Sequence, residues 1–238
     1  MCKKPAAGNN PDHSRRQSSW KGGMMKVLLL GPPGSGKSTQ AQRLSRALSY
    51  FQVSTGNLIR AHIQSDTELG RSIKDCNDRG ELVPDDVILE ITLPNLEPAG
   101  RWILDGFPRN EAQARALNEA LKRRGISLSR VIALEAPDEE LVERIKGRRQ
   151  SLATGWTYHA EHDPPPEKQD NLDSGPFVPR EDDTPEAIQR QLELYHQEAE
   201  PLKSHYEKRE ILTVVDARKP IPEVTHDILQ ALSPTRAG

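Results

Sequence analysis

The sequence predicts an α/β fold in which a mostly parallel sheet is covered by helices on both faces. Three observations carry that prediction. The apolar run KVLLL at 26–30 leads directly into a glycine- and proline-rich loop, and that loop leads into a helical pattern. Strand patterns then alternate with helical patterns almost to the end of the chain. The length, 238 residues, suits one domain with insertions and is too short for two large independent enzymes.

The elements follow in order. Residues 26–30 read as a short buried strand, and apolar Ala41, Leu44, Ala47 and Leu48 have helical spacing after the loop. A second strand is expected at 51–53, with Ser54 or Thr55 suited to cap a helix running through Ile59 and Ile63. Helices are expected at 68–79 and, after Pro84, at 85–93. RWIL at 101–104 is the third strand, followed by DGFPR and a helix through Ala114, Leu117 and Leu121. Residues 130–134 make the fourth strand. A helix over 137–149 carries Asp138, Glu139 and Glu140 in its first turn, where the helix dipole favours acidic side chains. From Gln150 to Pro179 the periodicity stops; the segment holds five prolines and few aliphatic residues, so it is either a small inserted domain or a mobile flap. Helical spacing resumes at Ile188, Leu192, Tyr195 and Leu202, then a fifth strand at 211–215 and a helix at 220–232 close the pattern.

With 33 basic and 35 acidic residues the net charge is -2, which argues against a surface built to hold nucleic acid or an anionic membrane. No apolar segment approaches the roughly 20 residues that a membrane-spanning helix needs. The protein is expected to be soluble, cytoplasmic and monomeric. Cys2 and Cys76 are the only cysteines; a structural disulfide is not expected, and no Cys-x-x-Cys pair offers a structural zinc site. Residues 1–24 have one acid, Asp12, and lack the apolar stretch of a secretory signal. They are expected to be a disordered extension, or to precede a start at Met24 or Met25, ahead of a transit peptide.

Gly31-x4-Gly36-Lys37-Ser38 matches the P-loop pattern in the required context, a strand before and a helix after. Glycines let such a loop turn its backbone N–H groups inward. Gly34, Ser35, Gly36 and Thr39 then help cradle phosphate oxygens at a helix N-terminus, Lys37 neutralises charge between the last two phosphates, and Ser38 is placed to coordinate Mg2+. ATP or GTP binding with Mg2+ follows, on a P-loop NTPase-type, five-stranded parallel sheet.

Two further clusters, STGNLIR at 54–60 and DGFPRNEAQA at 105–114, resemble signatures of the adenylate kinase family. The likeness continues through ERIKGRR at 143–149 and REDD at 180–183, covering nearly everything from Lys26 to about Leu232. It implies three parts: a core (25–53, 84–148 and 181–238), an AMP-binding helical insertion (54–83) and a lid (149–180). It also implies reversible transfer from MgATP to AMP, giving two ADP. Chemistry alone asks for fixed cations, since two anionic groups must meet in a site without water, and the guanidinium suits bidentate phosphate binding. By resemblance, Arg60 and Arg109 hold the AMP phosphate, Arg148 and Arg180 bridge the transferring group, and Arg144 stacks on the ATP adenine. Asp105 orients Mg2+ through water, Gly106 lies by the AMP, and Lys219 by the ATP.

The kinases of UMP and CMP share the loop and DGFPR, and they remain the alternative, as does a non-catalytic nucleotide-binding relative. Thr55 and Gln113 favour AMP, because a glutamine amide can both donate to and accept from the Watson-Crick edge of adenine. Asn110 is commoner in the pyrimidine enzymes, but its side chain is expected to cap the next helix. Val83 would offer the acceptor base apolar contact and a carbonyl. In the lid, Thr157, Tyr158 and His159 match a stretch that lies over ATP. Ser151 and Thr154 with Asp170 or Asn171 are expected to form a hydrogen-bonded network in place of zinc, despite the proximity of His159, His162 and Asp163. Two positions depart from the family. Asn57 replaces an aspartate, which reads as an exchange of helix-capping residues. Gln191 stands where an arginine usually joins the phosphate clamp, and Arg190 lies about 100° round the helix; either the clamp is weakened or another cation substitutes. A GTPase switch would need Asn-Lys-x-Asp, which is absent from the sequence.

Overall fold

The computed structural model describes residues 25–65, 67–78, 83–166, 173 and 175–233. The leader 1–24, together with Asp170 and Asn171, lies outside them. Apolar KVLLL forms β1 (Lys26–Leu30), and the loop after it opens α1 (Lys37–Leu48). The chain continues through β2 (Phe51–Ser54), α2 (Thr55–Gln64), α3 (Glu68–Asp78), α4 (Asp85–Thr92), β3 (Trp102–Asp105) and α5 (Glu111–Arg123). Then come β4 (Arg130–Glu135), α6 (Asp138–Lys146), β5 (Arg148–Ser151), β6 (Thr157–His159) and β7 (Phe177–Val178). The last three elements are α7 (Pro185–Glu207), β8 (Leu212–Asp216) and α8 (Ile221–Leu232).

Five strands make one parallel sheet in the order β2-β3-β1-β4-β8. The alternation of side chains along a strand divides the core into two layers. Leu28, Leu30, Trp102, Leu104, Val131 and Ala133 face one way, onto Ala114, Leu117 and Leu121 of α5 and Leu202 and Tyr206 of α7. Val27, Leu29, Ile103, Ile132 and Leu134 face the other way, onto Ala41 and Leu44 of α1 and Val224, Ile228 and Leu232 of α8. Strands buried on both faces explain why the sequence shows short apolar runs there instead of alternation.

The α6 boundary differs from the expected helix over 137–149. The helix ends at Lys146, and Arg148 and Arg149 belong to a strand. Arg148 pairs with His159 and Arg149 with Tyr158, so antiparallel pairing overrides local helix propensity. Gly147 permits the turn-over, because a side chain there would collide with the His159 ring. The strands β5, β6 and β7 form a three-stranded antiparallel sheet in the order β6-β5-β7, separate from the core sheet.

Two excursions thus leave the core on the side where β1, β2 and β3 end. The helices α2 and α3 form one and the small sheet the other, and a cleft of about 2210 Å3 lies between them. Parallel sheets place ligand sites at this carboxyl edge.

Candidate active site

The loop between β1 and α1 is shaped by backbone conformations that only glycine adopts cheaply. Gly34 and Gly36 have φ of 81° and 89°, and a Cβ on Gly34 would come within 2.6 Å of the Leu141 carbonyl. Lys37 opens α1 and folds back, its Nζ donating to the Pro32 carbonyl at 2.7 Å and lying 3.4 Å from Ser35 Oγ. Burial, reinforced by Arg109, Arg148 and Arg180 and opposed by Asp105, pushes its pKa down to about 8. Ser38 Oγ donates to Asp105 Oδ2 at 2.6 Å, joining the loop to the end of β3.

Thr55 is buried and spends its hydroxyl on the Asp105 carbonyl at 3.2 Å. Gly106 has φ of 90°, and a Cβ there would come within 2.7 Å of Thr55 Oγ1. Gln113, on the first turn of α5, accepts from the Arg109 amide at 2.7 Å and donates to Asp85 Oδ1 at 2.6 Å. Asn110 caps α5 by accepting from the Gln113 amide at 2.8 Å, as expected. Val83 lines the same cleft and packs against the core.

Arg60, Arg109, Arg148 and Arg180 all line the cleft. Repulsion within the cluster helps to lower the pKa of two of them. Burial first, then Arg180, lowers the Arg60 pKa to about 10, and the same two causes lower that of Arg109. Burial also works against Arg180, but the Asp182 carboxylate outweighs it and the pKa ends above its ordinary value. Asp182 is itself held down at about 2: Arg180, Arg60 and Arg148 overcome a burial cost that acts in the opposite direction. Arg148 is paired with Asp183 through two of its nitrogens, Nε to Oδ2 at 2.8 Å and Nη2 to Oδ1, and Arg180 Nε donates to Asp182 at 2.9 Å. Arg60 lies 3.9 Å from Asp182. Two adjacent carboxylates therefore hold the guanidinium groups in place, a role that the REDD motif did not reveal by itself.

The small sheet is organised by one carboxylate. Asp173 accepts from Ser151 at 2.5 Å, Thr154 at 2.8 Å and the Tyr158 hydroxyl at 2.9 Å. The expected network thus exists, with Asp173 as the acid where Asp170 or Asn171 was expected. Tyr158 packs edge-on against Phe177, and burial together with Asp173 raises its pKa to about 12, so its side chain belongs to this cluster. Thr157 meets α1 through its backbone: with the Gln42 amide turned by 180°, its nitrogen donates to the Thr157 carbonyl at 3.1 Å and its oxygen accepts from the Thr157 N–H at 2.6 Å. Arg46 lies over Trp156, 4.2 Å from the ring centroid. His159 accepts from the amides of Glu161 and His162 through Nδ1 and stacks on the His162 ring; burial and His162 push its pKa down.

Asn57 does not cap α2; Ser54 does. The Asn57 amide instead spans the cleft, donating to the Gly155 carbonyl at 3.2 Å and accepting from Arg60 at 2.6 Å and Gln150 at 3.1 Å. Arg144 pairs with Glu140 at 3.2 Å, Lys219 with Asp227 at 2.6 Å, and both line the cleft. Gln191 and Arg190 line it as well, from α7.

No group of three or more His, Cys, Asp or Glu is gathered for a metal among the described residues. The Ser38 hydroxyl beside the Asp105 carboxylate nevertheless fits Mg2+, which takes one or two protein oxygens and completes its shell with water and substrate phosphates.

The family model described as "Adenylate kinase" matches residues 29–211. An adenylate kinase of Caldicellulosiruptor bescii is 38% identical over 213 residues, covering 87% of this chain and 99% of that protein. Adenylate kinases of Streptomyces coelicolor and Salinibacter ruber are each 40% identical, covering 87% of this chain and 98% of theirs.

Proposed function

The chain belongs to the adenylate kinase family, whose members transfer a phosphoryl group between ATP, used with Mg2+, and AMP, and from that premise we propose how its own residues divide the work. The enzyme is an ATP:AMP phosphotransferase giving two ADP. The observation that carries the assignment of residues is the convergence of Lys37, the Ser38–Asp105 pair and four arginines on one cleft. A cleft of about 2210 Å3 exceeds the ~300–1,000 Å3 of a single-ligand site and suits two nucleotides.

Gly34 to Thr39 cradle the ATP phosphates through backbone N–H groups, with Lys37 at the terminal pair. Ser38 and Asp105 would hold Mg2+, which would supply neutralising charge to the phosphates. Arg144, Thr157, Lys219 and the lid sheet complete the ATP side. Thr55, Arg60, Val83, Gly106, Arg109 and Gln113 form the AMP side, Arg60 and Arg109 on its phosphate. An oxygen of the AMP phosphate attacks the γ-phosphorus in line as the bond to the departing ADP breaks, so no enzyme nucleophile and no covalent intermediate is needed. Arg148 and Arg180 meet the charge spread over the transferring group. Asp182 and Asp183 keep these guanidinium groups oriented until phosphate arrives, which limits reorganisation during the reaction.

The proposal extends to the insertion 54–83 as the AMP-binding part, the lid 149–180 as its cover, and a monomer working on free nucleotides in the cytoplasm. The near balance of charge fits free nucleotides as partners, since it offers polyanions no strongly basic surface. Lys37→Ala and Arg148→Ala test the assignment. Each is expected to lower turnover by about 10²–10³-fold with thermal melting retained, the size of a lost charge-stabilising donor. Near-normal turnover in either variant refutes its role.

A further inference from the structure

The pocket assigned to AMP contains an amide whose two ends are distinguished by their partners. Gln113 is 6% exposed, its Nε2 donates to Asp85 Oδ1 at 2.6 Å, and its Oε1 accepts from the Arg109 amide at 2.7 Å. A carboxylate only accepts and a backbone N–H only donates. Turning the amide by 180° would set oxygen against carboxylate and NH2 against N–H, making both contacts repulsive. Its orientation is therefore fixed from two sides. Each end keeps one free valence, a second N–H on Nε2 and a second lone pair on Oε1. Side by side, these match the N1 acceptor and the N6 amine of a 6-aminopurine. A 6-oxopurine offers the reverse, N1–H and a carbonyl oxygen, and would need the turned amide.

We propose that Asp85 is a specificity-determining residue, which by fixing the orientation of Gln113 selects 6-aminopurine over 6-oxopurine monophosphates. The proposal rests on the assignment of this pocket to AMP. Asp85 is the first residue of α4, behind Pro84, whereas Gln113 is on α5, so the contact also couples two elements that frame the pocket. Its neighbour Asp86 makes a local bond to the Val87 amide at 3.0 Å and shares the helix N-terminus, so it serves as a control for charge in that turn.

The experiment measures kcat/KM for AMP, inosine monophosphate and guanosine monophosphate, with the KM for ATP and the melting temperature of each variant. In Asp85→Asn the side chain can turn either face to Gln113, while the Arg109 amide still favours the original orientation. The preference for AMP over inosine monophosphate is expected to fall about tenfold, the scale of one modest hydrogen-bond difference, with the KM for ATP unchanged. Asp85→Glu, which keeps an obligate acceptor, is expected to retain more of the preference than Asp85→Asn, and Asp86→Asn all of it. Equal loss in Asp85→Asn and Asp85→Glu, or an unchanged preference in Asp85→Asn, overturns the proposal. Gln113→Ala separates the two levels. If it leaves the KM for AMP unchanged, the pocket assignment fails; if it raises that KM while Asp85→Asn keeps the preference, the pocket stands and the role of Asp85 falls.

Discussion

Lys37 is enclosed by its own loop and shares the cleft with Arg109, Arg148 and Arg180, with Asp105 favouring its charge. Burial dominates, and the pKa falls from 10.5 to about 8. Between those values the folded protein binds fewer protons at this site than the unfolded chain. The destabilisation from charging Lys37 is thus fully present below about pH 8 and disappears above pH 10.5, so stability from this group rises with pH across that window. Phosphate placed against Nζ reverses the balance, because an adjacent anion favours the ammonium. ATP binding at pH 8.5 is therefore expected to take up a fraction of a proton. Calorimetry in two buffers of different ionisation enthalpy would read it, and Lys37→Met should abolish it. Binding heats that do not depend on buffer would contradict this account of the lysine.

The small sheet β6-β5-β7, the proposed lid, shows what an element without periodicity can depend on. Asp173 gathers three side-chain hydroxyls, and the same bonds lower its pKa despite the opposing effect of burial. Hydrogen bonds to a charged group contribute about 1.5–3 kcal/mol each in favourable cases. Asp173→Ala is expected to remove hydrogen-exchange protection from 148–178 while the core strands keep theirs, and to raise the KM for ATP more than that for AMP. Unchanged protection in the lid would refute the central role of this carboxylate. The sign of its pKa shift adds that the lid should loosen as pH falls below 3.8, since protonation removes the acceptor.

Legibility in the sequence follows from the same physics. The core strands were readable because burial on both faces demands apolar runs, and the loop because glycine dihedrals and a lysine leave a fixed spacing. The start of β5 was not, since Arg148 and Arg149 continue a helical pattern until pairing with Tyr158 and His159 draws them into a strand. Ser151 and Thr154 were legible as lid partners, but nothing local in a proline-rich stretch separates Asp173 from Asp170. Asn57 looked like a cap because caps are local, whereas its partners Gln150 and Gly155 lie about a hundred residues away.

At the scale of the molecule, one rigid sheet edge holds the loop, Asp105 and Thr55, while two excursions face each other across the cleft. Asn57 and Arg60 on α2 meet Gln150 and Gly155 of the small-sheet segment and Asp182, just ahead of α7. Closing two nucleotides between these parts excludes water, which would otherwise take the phosphoryl group, and brings enough positive charge to offset their repulsion. That architecture would serve any nucleoside monophosphate; under the proposed assignment the choice of AMP rests on the pocket around Gln113. The most direct measurement is ADP formation from MgATP with AMP, CMP and UMP offered separately, each against a control without acceptor. Turnover with AMP is expected to exceed that with either pyrimidine nucleotide by at least about tenfold, the difference made by one satisfied hydrogen-bonding edge. Equal or greater turnover with CMP or UMP, or none with AMP, would contradict it.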